Sequence, residues 1–340
     1  MTPDAERAGA ARDIDVVLVL SGGNALGAFE AGVYEALHEH GLQPDWIIGA
    51  SIGAINGALI AGAAPDRRIE TLRTFWRPAP SGAMTPPWLS VLETSRRTSA
   101  AGWAATLGRP GIFGPMLSAL TPWRNNQPSI FETNQLASTL ETLVDFDRLN
   151  AGPCRYTATA VNLETGDDVV FDSAAMQVGP EHIRASAALP VAFPPVEIDG
   201  RWPVDGGLSA NLPLDPVLSA PPPRATLCIA VDLLPLHGHK PATLGGAASP
   251  MQDLIFAAQS RRPIDRWKAT YSERERITLS LIRLAYTEQD EEVAGKALGF
   301  SGPTVGQRWS AGYRAGMLAV DRVQTETLFI GVPGLNVIQL

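Results

Sequence analysis

Two short apolar runs, each ending in a glycine-rich turn into a helical pattern, constrain this chain most. DVVLVL, from Asp15 to Leu20, leads into SGGNALG, and DWIIGA, from Asp45 to Ala50, leads into SIGAING. Continuous apolar strands of this length are buried on both faces. Strand–helix alternation places such strands parallel, joined by right-handed crossovers. Between the runs, Ala28, Ala31, Tyr34 and Leu37 fall at helical spacing, and Gly41 closes that helix as its C′ residue. A second helix is predicted from Ser51 to about Gly62. The chain therefore reads as an α/β fold with a parallel sheet.

The stretch from Ile47 to Pro65 carries no charge and approaches the roughly 20 apolar residues that a membrane span needs. Four glycines, Ser51 and Asn56 interrupt it, so a strand followed by a buried helix accounts for it better.

Downstream, residues 76 to 127 lose periodicity and become rich in Pro, Gly, Ser and Trp, with Trp76, Trp88, Trp103 and Trp123. Long excursions of this kind are functional lids or disordered inserts, and large apolar rings argue for a lid. A helix is predicted over Asn134 to Leu143. A hairpin follows, with strands Arg155 to Val161 and Asp168 to Phe171 around Thr165-Gly166. PEHIRASAALP reads as a short helix stopped by Pro190, and VEIDGRWPVDGG as a hairpin turned at Asp199-Gly200. Ala225 to Leu234 is a further core strand. A Gly/Pro-rich linker, 235 to 251, then leads to a helix from Gln252 to Tyr271 kinked near Pro263, a strand from Ile277 to Tyr286, and a helix opening at Ser301-Gly-Pro. Residues 1–13 read as a disordered lead-in, since their acidic, non-apolar composition is no secretory signal.

The 340 residues fit one large domain or two ordinary ones. With 45% apolar and 18% charged residues, the chain is globular. A net charge of −8 offers no attraction to nucleic-acid phosphate or anionic headgroups, so any transient membrane contact is expected through apolar loops. Cys154 and Cys228 make no disulfide framework, which points to a reducing, cytoplasmic compartment with peripheral membrane contact at most.

Nucleotide readings of SGGNALG fail on named residues. A dinucleotide loop needs a glycine where Asn24 stands, and a P-loop needs G-K-[ST] where Gly27 is followed by Ala28 and Phe29. The alternative is an oxyanion cradle. Successive backbone amides of Gly22, Gly23 and Asn24 at a strand-to-helix turn suit the negative charge of acyl transfer. Ser51 then fits a nucleophile on the second turn, flanked by Gly49 and Gly53 because the elbow is tight, with the helix dipole behind it. Read without that first loop, Ser51 is equally a helix N-cap.

A nucleophilic serine needs a base. His38 and His40 sit on the last turn of a helix, where they complement its dipole. His237 and His239 read as a surface pair in a linker. His182 is the histidine nearest to suggestive residues, but Asp205 is the better candidate. The Asp199-Gly200 hairpin aims Asp205 from a strand end, and Gly206 and Gly207 let the chain turn beside it. Partial burial would raise the carboxyl pKa and improve it as an acceptor.

These three blocks in order, LVLSGGNALGAFEAGVYEAL, GASIG and PVDGG, resemble the patatin-like phospholipase family. ASAALPVAFPPVEIDGRWPV before the last block, with Asn211 and Pro213 after it, also matches. The resemblance covers roughly Asp15 to Leu214, and the chain end FSGPTVGQRWSAGYRAG is similar to a C-terminal extension of some bacterial members. It implies a three-layer helix–sheet–helix fold with a mostly parallel central sheet, made of a catalytic region over 14–234 and an extension over 235–340 packed on it. It further implies a Ser51–Asp205 dyad without histidine, an oxyanion loop after the first strand, motif glycines Gly27, Gly49, Gly53, Gly206 and Gly207, and hydrolysis of lipid acyl esters with no metal or cofactor. The partner is then a lipid or ester substrate and not nucleic acid. Two positions depart from the family's G-G-G-x-R-G loop. Asn24 replaces a glycine and Leu26 the arginine, which shifts the expected substrate from phospholipid toward a neutral lipid or simple ester. A non-catalytic acyl-binding protein and an acyltransferase are the competing readings.

Overall fold

The computed structural model describes residues 14–78, 108–114, 129–234, 244–272, 278–289, 296–325 and 330–340, with positions 97, 101, 102, 104 and 106. The lead-in 1–13, most of the Trp-rich 76–127 segment with Trp88, Trp103 and Trp123, and His237 and His239 lie outside the described residues.

Along the chain, β1 (Ile14–Leu20) runs through a 3-10 turn (Asn24–Gly27) into α1 (Ala28–Glu39), and β2 (Trp46–Ala50) runs into α2 (Ile52–Ala61). Helix α3 (Arg68–Trp76) follows, then α4 (Asn134–Leu143), α5 (Phe146–Ala151), the strands β3 (Arg155–Asn162) and β4 (Asp168–Asp172), and α6 (Pro180–Ser186). The short strand β5 (Pro203–Asp205) leads to α7 (Gly207–Ala210), α8 (Asp215–Ser219) and β6 (Ala225–Asp232). Last come α9 (Leu244–Ser272), β7 (Thr278–Ala285), α10 (Gly302–Gln324) and β8 (Gly334–Gln339).

The strands form one sheet in the order β4-β3-β2-β1-β6-β7-β8, with β5 paired to β3. Every pairing from β3 across to β8 is parallel, and only β4 and β5 run antiparallel, both against β3. The apolar run of β1 explains its central place. Leu18 and Leu20 enter one apolar cluster with α1, α2 and α10, whereas Val17 and Val19 enter a second with Val217 of α8 and Tyr271 of α9. Alternate residues thus face two helical layers, which is what a strand buried on both faces requires. The architecture is three-layer α/β with a mostly parallel central sheet.

Three expectations shift. Residues 68–76 form a helix that the pattern reading passed over, and Trp76, read as the start of the lid segment, is its buried last residue. Helix α9 begins at Leu244, inside the stretch read as a linker, and is helical straight through Pro263. The Asp199-Gly200 turn has both residues at positive φ, as a tight two-residue turn demands, but it closes only a single bridge between Ile198 and Arg201. The strand that follows pairs with β3 instead. Among the described residues, no helix is long and apolar enough to cross a membrane. Ile47 to Pro65 is strand and buried helix, as read.

Candidate active site

The topology brings three chain ends together. β1 lies between β2 and β6, so the chain leaves it on one side and returns on the other. A crevice at the carboxyl ends of parallel strands opens at such a switch point. Leu20 is paired with Gly49, so the turns after β1 and β2 stand side by side. Strand β3 brings the third end. β2 pairs with its residues up to Thr159, and β5 takes over with Asp205 opposite Ala160. Since β4 occupies the other edge of the same stretch, β5 prolongs β2's side, and Asp205 arrives just beyond the end of β2.

Ser51 Oγ donates a hydrogen bond to Asp205 Oδ2 at 2.7 Å. Ser51 sits at φ 55° and ψ −121°, a conformation L residues avoid and nucleophile elbows adopt. The flanking glycines permit it. A Cβ on Gly49 would lie 2.4 Å from the Gly53 carbonyl, and a Cβ on Gly53 would lie 2.4 Å from the Leu20 carbonyl. Strand, elbow and helix are in backbone contact, and no side chain fits between them. The N-cap alternative for Ser51 fails, because its hydroxyl makes no capping bond to its own helix.

Asp205 is 4% exposed. Burial pushes its carboxyl up to about 6, against the opposing pull of hydrogen bonds from Ser51 and the Gly207 amide. Its Oδ1 accepts from Gly207 N at 2.8 Å, so one oxygen is anchored and the other faces Ser51. A Cβ on Gly206 would stand 2.3 Å from the Thr159 carbonyl, so the first glycine of the pair is required by the close approach to β3.

The glycine loop divides its labour. Gly22 N donates to the Asn211 carbonyl at 3.0 Å, and Asn211 Nδ2 returns a bond to Gly22 O at 3.1 Å. The expectation that the Gly22 amide is an oxyanion donor is therefore corrected: that N–H is already spent on Asn211. The amides of Gly23 and Asn24 have no acceptor among the described residues, and neither does the amide of Ile52 next to Ser51. Asn24 adopts φ 51°, the left-handed region that asparagine tolerates best after glycine, which explains its presence in a glycine's place. Gly27 faces Ile52, whose Cγ1 would be 2.5 Å from an added Cβ. The Leu26 side chain is buried in the core and presents nothing to the crevice.

A polar network ties the two turns together beneath the crevice. Asn56 of α2 donates to Gly27 O and to Glu30 Oε2, both at 2.9 Å, and accepts from Trp76 Nε1 at 3.0 Å. Burial pushes the Glu30 carboxyl well above its ordinary value, against the opposing pull of the hydrogen bond from Asn56.

The described histidines stand elsewhere. His182 Nδ1 accepts from Gly179 N at 2.8 Å, capping α6, and its ring meets Phe171 edge-on. His40 and His38 are bound at the end of α1 through Ala36 O and Gln43. Sequence reasoning missed Ser186, whose hydroxyl and carbonyl both accept from the Ser51 amide, and Ile52, whose amide without an acceptor among the described residues is a backbone group and leaves no mark on residue type.

The patatin-like phospholipase family model matches residues 18–218, more than half of the chain. The chain belongs to the patatin-like phospholipase family. Among similar curated proteins, an uncharacterized NTE family protein of Mycobacterium tuberculosis is 28% identical over 221 residues, covering 64% of this chain and 49% of its own length. Lysophospholipase nte1 of Aspergillus terreus is 27% identical over 281 residues, covering 82% of this chain and 15% of its own length. This patatin-like chain thus spans about half the length or less of these relatives. Among solved structures, VipD from Legionella pneumophila covers 92% of this chain and 67% of its own at a TM-score of 0.47 and 16% identity. The type III effector ExoU covers 91% of this chain and 53% of its own at 0.38 and 15% identity.

Proposed function

We propose that this protein is a serine acyl hydrolase acting on lipid esters through a Ser51–Asp205 dyad. The observation that carries the reading is the 2.7 Å hydrogen bond from Ser51 Oγ to a buried carboxylate whose pKa is raised to about 6. A base poised near working pH can accept the hydroxyl proton as the nucleophile attacks. Family membership and lysophospholipase relatives support lipid as the substrate class.

In the acylation half, Ser51 Oγ bonds to the ester carbonyl carbon while its proton passes to Asp205 Oδ2. The carbonyl electron pair moves onto oxygen, where the amides of Gly23, Asn24 and Ile52 hold it. Collapse of this adduct expels the alcohol, which takes the proton from Asp205. Water then attacks the acyl-Ser51 carbonyl, giving a proton to Asp205. The carboxylic acid departs and Ser51 recovers its proton. Each oxyanion donor of this kind contributes about 3 kcal/mol of barrier lowering. With Leu26 turned into the core, position 26 supplies no cation for a substrate phosphate, which favours neutral lipid or simple carboxylic esters alongside phospholipids.

The test is a chain-length series of chromogenic esters with the wild type and Ser51→Ala, together with a fluorophosphonate probe. Turnover by the wild type only, with the probe on Ser51, is expected. A wild type that neither turns over any ester nor takes the label at Ser51 would point to the acyl-binding reading instead. Transfer of the acyl group to an added alcohol in place of water would reveal an acyltransferase.

A further inference from the structure

The most buried cation among the described residues has no part in the dyad. Arg308, on α10, is 1% exposed. Its Nη1 donates to Ala25 O at 2.8 Å and to Gly299 O at 3.0 Å, and its Nη2 donates to Lys296 O at 2.9 Å. Ala25 is the second residue of the 3-10 turn and directly follows Gly23 and Asn24 in the chain. A guanidinium distant in sequence thus holds the glycine loop on its downstream side.

The upstream side is held by Asn211, through Gly22 N and Gly22 O. The two grips bracket Gly23 and Asn24, the loop amides without acceptors. Between the grips, Asn24 sits in the left-handed region at φ 51°, a conformation that needs outside support. A planar guanidinium with donors in a fixed fork suits bridging carbonyls of two separate turns, where a lysine ammonium would act as a point charge on a flexible stem.

The placement of Arg308 is itself enforced. Helix α10 crosses α1 in backbone contact. A Cβ on Gly32 would lie 1.9 Å from the Trp309 carbonyl, and a Cβ on Gly312 would lie 1.9 Å from the Phe29 carbonyl. These reciprocal notches allow α10 one register on α1, and that register puts Arg308 over the start of the helix that the loop opens.

We propose that Arg308 is a positioning residue for the oxyanion loop, so that α10, beyond the family-matched region, completes the active site. The inference deepens the hydrolase reading and rests on it for its effect on rate, while its effect on the loop stands on geometry alone.

The experiment compares the full-length wild type with Arg308→Ala, Arg308→Lys and Val320→Ala. Val320 is a buried residue of the same helix, about 18 Å along its axis from Arg308 at 1.5 Å per residue, and controls for general loosening. Two readouts are taken: steady-state hydrolysis of a chromogenic ester and amide hydrogen exchange of peptides covering residues 21–30. In both Arg308 variants kcat should fall about 10- to 100-fold with KM nearly unchanged, as for loss of a donor's alignment in a hydrolase. Exchange in 21–30 should quicken, and millimolar guanidinium, but not sodium chloride of equal ionic strength, should restore kcat in Arg308→Ala. Val320→Ala should lower the melting temperature and leave kcat and loop exchange alone. Arg308→Lys keeps the charge and serves if the alanine variant does not fold. Wild-type exchange in 21–30 in an Arg308 variant would overturn the proposal. Equal kcat losses in Val320→Ala and Arg308→Ala would overturn it too. A wild type without esterase activity would sink the hydrolase reading, while loop exchange would still decide Arg308's hold on the loop.

Discussion

Ser186 accepts the Ser51 amide twice over, through its hydroxyl oxygen and its carbonyl oxygen, each at 3.1 Å. The same hydroxyl donates to Thr159 O at 2.7 Å, and the same carbonyl accepts from Gly206 N at 3.3 Å. One buried serine therefore ties the elbow of β2 to β3 and to the segment that carries Asp205. Ser186→Ala strips the donor from a buried carbonyl, which costs about 1–3 kcal/mol. It also frees the elbow to drift, and a misplacement of about 1 Å is worth up to roughly 100-fold in rate. Chemical denaturation should show the stability loss, and ester kinetics a kcat reduced about tenfold or more at similar KM. Unchanged kcat with lowered stability would reduce Ser186 to a purely structural part.

The dyad separates from a histidine triad by a three-variant comparison. Ser51→Ala and Asp205→Ala should each cost roughly 10⁴-fold or more in kcat, as removal of a nucleophile or its base does. His182→Ala should keep most activity, because its Nδ1 caps α6 through Gly179 N rather than facing Ser51. Its loss is a cap loss, about 0.5–2 kcal/mol in stability. Near-wild-type turnover in Asp205→Ala would remove the carboxylate from the mechanism.

Asp205 also sets a pH dependence of known sign. It works as a base only when ionised, so kcat/KM should be flat above its pKa of about 6 and fall as pH drops through it. Stability runs the other way. The folded-state pKa lies above the unfolded value, so the native state holds the proton longer. The associated stability is full below about pH 4, the unfolded carboxyl's range, and is lost as pH rises toward the folded pKa. Asp205→Asn removes that cost and should be more stable than the wild type at neutral pH by up to about 3 kcal/mol. It should also be inactive. Melting curves across the pH range, with ester rates on the same samples, test both halves, and a destabilised Asp205→Asn at neutral pH would contradict the burial argument.

The parts of this site that were readable in the residues are those where chemistry or backbone geometry restricts residue type. The strands β1 and β2 announced themselves by apolar runs, Ser51 by its glycines, and Asp205 by the pair after it. Carbonyl and amide partners left no such trace. Nothing in Gly22 itself tells that its amide is taken by Asn211, because the bond is to a main-chain oxygen brought close only by folding. Arg308 looked like any helix cation until α10 docked on α1. Helix α3 was hidden because Arg68 to Trp76 carries three charged residues in nine, yet Arg68 is itself buried, spanning Tyr34 and Gln43. The path of β5 was misjudged for a related reason. The Asp199-Gly200 turn is a strong local signal, but the strand after it gains more by pairing with β3 than with its own hairpin arm.

Two glycine substitutions should show that the elbow is governed by space rather than by backbone angle. A Cβ at Gly53 would stand 2.4 Å from the Leu20 carbonyl, a main-chain atom at the centre of the sheet that cannot move aside. At Gly41 the φ is +73°, but an added Cβ meets nothing within 4 Å. Gly41→Ala pays only for its left-handed backbone, about 1 kcal/mol, and should keep full esterase activity. Gly53→Ala forces the nucleophile's helix away from β1, a clash in the range of about 3 kcal/mol or more, and separates Ser51 from the amides of the glycine loop. Its fluorophosphonate labelling should therefore collapse even at temperatures where circular dichroism shows the fold intact. Labelling of Gly53→Ala at the wild-type rate would mean that the elbow tolerates a displacement the structure does not allow.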